Sequence, residues 1–124
     1  EEEGTLDRMK RTIPVLGEGL RRFRSIPLVG DVRSIGLIGA VELVKDRKTK
    51  KTFGFRERIG LKVYKMGLEK KLVLRPLGNI IYLFLPLCIK ENELEDILKR
   101  TFCVIELLSK QYKRGNNVYS RGLI

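Results

Sequence analysis

The sequence predicts a two-layer α+β domain, a small antiparallel or mixed sheet of about three strands with helices packed mainly on one face. Two observations lead to this. The hydrophobic period changes along the chain in the order helix, strand, helix, strand, strand, helix. The length, 124 residues, is that of one domain with a proper core. With 43% hydrophobic and 33% charged residues the composition is that of an ordinary globular chain, which excludes disordered and collagen-like classes.

The first helix is read from Leu6, Met9, Ile13, Leu16, Leu20 and Phe23, which step by three and four. Thr5 is its expected cap. Pro14 lacks the N–H that would bond four residues back, so a kink is expected, or a restart capped by Thr12. Ile26-Pro27 and Gly30-Asp31 end the element. Arg33 to Val44 reads as one strand, with Ile35, Leu37, Val41 and Leu43 on one side and Ile38, Ala40 and Val44 on the other. Gly36 and Gly39 within it allow a bend or a close approach by other backbone. Arg56 to Lys70 has helical spacing at Ile59, Val63, Met66 and Lys70. Gly60 and Gly67, seven apart, weaken this helix unless close packing requires them.

A hairpin follows, with arms Leu72–Arg75 and Ile80–Leu85 and a turn over Pro76-Leu77-Gly78. The last helix carries Leu94, Ile97, Leu98, Thr101, Ile105 and Leu108 on one face, with Asn92 and Glu95 as a capping pair. From Gln111 no periodicity remains, and a loose basic tail is expected. Ile81, Leu83 and Leu85 share one side of the second hairpin arm, and Ile80, Tyr82 and Phe84 the other. The strand at 33–44 is likewise apolar on both sides. A thin sheet with helices on one face should alternate apolar with polar, so its second face needs a cover: the local helices reaching around or, as is expected, a further domain or subunit.

Several function classes are excluded. No apolar run reaches the ~18 residues of a membrane span, the longest being Ile80 to Ile89 and broken by Pro86. With no histidine, neither a common zinc site nor a His-based triad can be built from this chain. Cys88 and Cys103 read as buried thiols of a reducing compartment, with the cytoplasm as the default location; a disulfide between them stays open. The chain opens Glu1-Glu2-Glu3, without a methionine or a signal peptide, so more sequence is expected upstream.

The net charge of +11 admits a polyanion partner such as nucleic acid. Against this, the basic residues are spread evenly, 14 up to Gly60 and 12 beyond it. The densest run, Lys45 to Lys51, has no aromatic residues for base stacking. Ile35-Gly36-Leu37-Ile38-Gly39 contains a GxxG, but within strand-like alternation and not between two helices as in a KH domain. A free-standing basic nucleic-acid-binding module is therefore the rival reading. Arg75 stands out, because Pro76 holds it extended beside a defined turn, which suits bidentate capture of a carboxylate or phosphate.

Gly30-Asp31-Val32-Arg33, Gly36 to Leu43, Leu74-Arg75-Pro76-Leu77-Gly78-Asn79 running on to Leu83, and Pro86 to Ile89 form an ordered set. Together they resemble the C-terminal small domain of class III, pyridoxal-phosphate-dependent aminotransferases of fold type I, over residues 5–108. In ornithine and 4-aminobutyrate branches an arginine stands where this chain has Tyr82. Arg75 in Arg-Pro-Leu-Gly instead resembles the branch that transfers the amino group of S-adenosylmethionine to 8-amino-7-oxononanoate in biotin synthesis. Leu85 departs from the family's proline pair.

The resemblance implies a linking helix over 1–25, a small domain over 26–110 and a tail over 111–124. It also implies an upstream large domain holding pyridoxal 5'-phosphate and a homodimer, with Arg75 binding the substrate carboxylate. It gives this segment no catalytic, cofactor-binding or metal-binding residue, since the cofactor lysine context is not matched. The segment alone is expected to be inactive and to bind no cofactor. Another class III ω-aminotransferase is the alternative within the family.

Overall fold

The computed structural model describes the backbone of residues 4–120 and the side chains of residues 4–113. Four antiparallel strands make one sheet: β1 (Val29–Ile35), β2 (Ile38–Leu43), β3 (Arg75–Leu77) and β4 (Ile80–Phe84), in spatial order β1-β2-β4-β3. Three α-helices, α1 (Thr5–Arg22), α2 (Ile59–Glu69) and α3 (Glu91–Ser120), complete the two-layer α+β architecture. The apolar stripe of α1 delivers Leu16 and Leu20 to the core, the 3-10 turn Phe23–Ser25 that follows adds Phe23, and α3 delivers Leu94, Leu98, Val104, Ile105 and Leu108. They meet Val32, Val41, Ile81 and Leu83 from one face of the sheet. No helix among the described residues is long and apolar enough to cross a membrane.

Several local expectations are corrected. The single strand at 33–44 is a hairpin: Ile35 pairs with Ile38 across a two-residue loop of Gly36 and Leu37. Gly36 sits at φ 56°, the left-handed first position that such loops favour. Because Ile35 and Ile38 are paired, they share a face, whereas continuous alternation puts them on opposite faces. β1 also begins at Val29, so Gly30 and Asp31 lie inside it. The second hairpin follows the same plan, with Leu77 opposite Ile80 and Gly78 at φ 62°. Its loop is therefore Gly78-Asn79, and Pro76-Leu77 belong to the arm.

α1 runs unbroken through Pro14 from a left-handed Gly4, so neither Thr5 nor Thr12 is a cap. Thr12 is buried and donates its hydroxyl to the Arg8 carbonyl, 3.1 Å away. α2 starts three residues later than expected. A short 3-10 turn, Phe55–Glu57, and a left-handed Arg58 precede it. α3 begins at Glu91, with Glu93 accepting from the Lys90 N–H at 3.3 Å in place of the Asn92 and Glu95 pair. The segment from Gln111 continues as helix to Ser120, and the last four residues of the expected tail lie outside the described chain. Both cysteines are free, Cys103 half-buried and Cys88 exposed, the latter contrary to the buried pair expected.

The two glycines of α2 are where packing needs them. A Cβ on Gly60 would lie 2.6 Å from the Gly78 oxygen and 2.9 Å from the Pro76 Cβ. One on Gly67 would lie 2.9 Å from the Leu72 oxygen. Contact this close seats the hairpin tip directly on the helix.

Candidate functional site

Among the described residues, no helix packs on the second face of the sheet. Ile35, Phe84 and Leu77 are 79%, 76% and 69% exposed there, far more than isolated surface residues of a covered sheet would be. The apolar character predicted for both sides of the strands is thus real, and one side is bare.

The strand registers place Arg33, Ala40, Tyr82 and Arg75 side by side in one row across this bare face. The two arginines differ in circumstance. Arg33 is held by Asp31 at 3.5 Å and Glu42 at 3.7 Å. Arg75 has no ion pair or side-chain hydrogen bond among the described residues. It opens β3 and precedes Pro76, whose ring restricts it to extended backbone. Pro76 is tolerated because β3 is an edge strand.

The scaffold under Arg75 is pinned from three directions. Gly60 of α2 abuts the hairpin tip. Asn79 donates from Nδ2 to the Phe53 carbonyl at 3.3 Å, and its own carbonyl accepts the Leu43 N–H at 2.8 Å. Beyond Arg75 the arms diverge around a hollow of 280 Å³ lined by Val73, Arg75, Tyr82 and Phe84, among others. An unpaired guanidinium carried on so pinned a backbone, on an apolar surface beside a hollow, can take a carboxylate through two parallel N–H donors. Tyr82 directly opposite adds a phenol to the same row.

Sequence reading singled out Arg75 and noted Tyr82, but not that Arg33 joins their row. Only the register, set by the Gly36 turn, brings it there. Another missed role belongs to Arg47, in the middle of the basic run. Its guanidinium donates to the carbonyls of Val29 (3.1 Å), Arg24 (2.6 Å) and Ile26 (2.6 Å), fastening the chain between α1 and β1. That residue is structural, which weakens the case for the run as a nucleic-acid surface.

A pyridoxal cofactor requires a sheltered lysine able to be neutral. Among the described lysines only Lys45 is half-buried; the others are exposed. Its ammonium donates to Glu57 at 2.7 Å, and this bond raises its pKa above the ordinary lysine value despite some desolvation. Glu57 is correspondingly held below the usual carboxylate value, aided by the Gly54 N–H at 2.6 Å. The pairing favours the charged form of Lys45, so this lysine does not offer the neutral amine that such a cofactor requires.

Comparison with known proteins gives the context of this arrangement. The family model described as aminotransferase class-III matches residues 1–105. The adenosylmethionine-8-amino-7-oxononanoate aminotransferase of Aquifex aeolicus (strain VF5) is 39% identical over 111 residues, covering 90% of this chain and 24% of that protein. The crystal structure of the enzyme of that name from Methanocaldococcus jannaschii DSM 2661 superposes with a TM-score of 0.80 at 32% identity, over 85% of this chain and 24% of that one. A thermostable omega transaminase 6-fold mutant from Pseudomonas jessenii gives a TM-score of 0.79 at 31% identity, over 90% and 24%. The chain spans about a quarter of the length of these relatives. Sharing both their sequence pattern and their fold, the chain belongs to the class-III aminotransferases.

Proposed function

We propose that this chain serves as the C-terminal small domain of an aminotransferase that moves an amino group from S-adenosylmethionine to 8-amino-7-oxononanoate, giving 7,8-diaminononanoate in biotin synthesis. Class-III aminotransferases use pyridoxal phosphate. In this reading the cofactor is held by a large domain upstream, the parent is a cytoplasmic homodimer, and the present residues supply no step of the cofactor's chemistry. Their divisions are the linking helix over 1–25 and the small domain over 26–110, with 111–120 prolonging its last helix.

The observation that carries the reading is Arg75: unpaired, fixed on a pinned hairpin, and facing out from a bare apolar sheet. Its role is to bind the carboxylate that both substrates carry, so one guanidinium serves both halves of the reaction. The bare sheet face closes one side of the active-site cleft.

The test is Arg75→Ala in the full-length enzyme. Loss of a charge-assisted bidentate contact should raise KM for both substrates by about tenfold or more, while the visible absorption of bound pyridoxal phosphate stays unchanged. Unaltered KM and kcat for both substrates would overturn the assignment. A native chain of 14.3 kDa without that absorption would overturn the domain reading itself. The likeness to the omega transaminase supports a second reading, a different amino-group pair in the same family. Turnover with other donors or acceptors but not with this pair would favour it.

A further inference from the structure

The arm that presents Arg75 is held at its two ends more than along its length. β3 has three residues and one neighbour, β4, and its middle residue, Pro76, has no N–H to give to the ladder. At one end Leu74 is buried in the core. At the other end is the loop Gly78-Asn79, and Asn79 ties it down. Its Nδ2 donates to the Phe53 carbonyl at 3.3 Å, and its backbone oxygen accepts from the Leu43 N–H, where β2 ends, at 2.8 Å.

Phe53 is a firm support for this bond. Its ring is buried and lies edge-on to Tyr112 of α3, with centroids 5.2 Å apart, and the Lys45 ammonium is 5.9 Å from the ring centre. The Asn79 amide therefore couples the hairpin tip to the body of the domain. Backbone conformation does not account for an asparagine here. Hairpin loops use that residue where φ is positive, but of this loop only Gly78 has positive φ. Gly60, beneath the same tip, limits how near the hairpin can come to α2. The Asn79 amide opposes its leaving. Two parallel N–H donors grip a carboxylate only over a narrow range of directions, and a shift of about 1 Å in a substrate-holding group can cost about a hundredfold.

We infer that Asn79 is a positioning residue for the substrate carboxylate, acting through Arg75 by anchoring the hairpin tip to the Phe53 carbonyl. The inference rests on the role proposed above for Arg75.

The test is steady-state kinetics of Arg75→Ala, Asn79→Ala and the double variant in the full-length enzyme, with S-adenosylmethionine and 8-amino-7-oxononanoate. Asn79→Ala should raise both KM values by about threefold to tenfold with kcat nearly unchanged. In the Arg75→Ala background the same substitution should raise neither KM further. Asn79→Asp keeps the size of the side chain, but an ionised carboxylate cannot donate to a carbonyl, so it should raise KM as well. It is the variant to read if alanine loosens the loop. A purely structural role gives another pattern, because a smaller folded fraction lowers apparent kcat and leaves KM where it was. Arg47→Ala, which removes contacts between α1 and β1, should show that pattern. Unchanged KM in both Asn79 variants overturns the inference. So does an equal rise in KM with and without Arg75, or a rise in Arg47→Ala that matches Asn79→Ala. With any of these, a raised KM in Arg75→Ala alone leaves the reading of Arg75 standing. An unchanged KM in Arg75→Ala removes that reading, and the role of Asn79 falls with it.

Discussion

Replacing Gly60 by alanine should destabilise the fold, although alanine is the better helix former. The added Cβ would stand 2.6 Å from the Gly78 oxygen and 2.9 Å from the Pro76 Cβ, where ordinary contact begins at 3.4 Å. Neither neighbour can yield easily. Gly78 is in a left-handed turn, and Asn79 beside it is bonded to Phe53 and Leu43. Helix and hairpin must part, at about 1–3 kcal/mol for overpacking of this kind. The gain in helix propensity is at most about 1 kcal/mol and smaller in the first turn, where Gly60 lies. The net expectation is a loss of about 1–2 kcal/mol. Gly17 of α1 is the internal control. Its nearest neighbour to an added Cβ is the Ser34 Oγ at 3.8 Å, so Gly17→Ala should stabilise by about 0.5–1 kcal/mol. Urea unfolding followed by far-ultraviolet circular dichroism would read the two midpoints at constant m. A Gly60→Ala midpoint at or above that of the parent would refute the packing argument. So would a Gly17→Ala loss as large as the Gly60→Ala loss.

Arg47→Ala leaves three backbone carbonyls without their charged donor and should cost about 1.5–3 kcal/mol in urea unfolding; Arg47→Lys should recover only part, since an ammonium cannot span them all. Glu57→Gln should lower stability at neutral pH. Glu57 has its folded pKa depressed, so its contribution is present above the ordinary carboxylate range and lost as pH falls through the folded value. The difference between parent and Glu57→Gln should accordingly shrink on acidification in midpoints measured from pH 7 to pH 3, and a constant difference would refute it. Lys45, with its pKa raised, contributes fully below the ordinary lysine value and loses that contribution as pH rises through the higher folded value.

The row on the bare face shows how local readings and register combine. Arg75 could be picked out from its neighbours in sequence, because Pro76 restricts the residue before it and Gly78 marks a turn. Arg33 could not, because its place in the row with Tyr82, across Ala40, depends on a two-residue turn at Gly36. A hairpin loop of that length preserves alternation on each arm while reversing the direction, so a continuous strand and a hairpin look alike over 33–44. In α1 the restart at Thr12 does not occur: the proline is accommodated within an unbroken helix whose buried face is fastened by Leu16 and Leu20, tertiary packing outweighing a local penalty.

By itself the sequence determined the three helical segments, the strand-forming segments and the apolar character of both sides of the sheet, because these follow from periodicities of two and 3.6 residues. It also carried the family pattern, in motifs spread from Gly30 to Ile89. Tertiary structure alone decided the strand order, the free state of Arg75 against the paired state of Arg33, and the role of Arg47 as a fastener of carbonyls. Each of these depends on which distant segments come within bonding distance, about 3 Å, and no local preference encodes that.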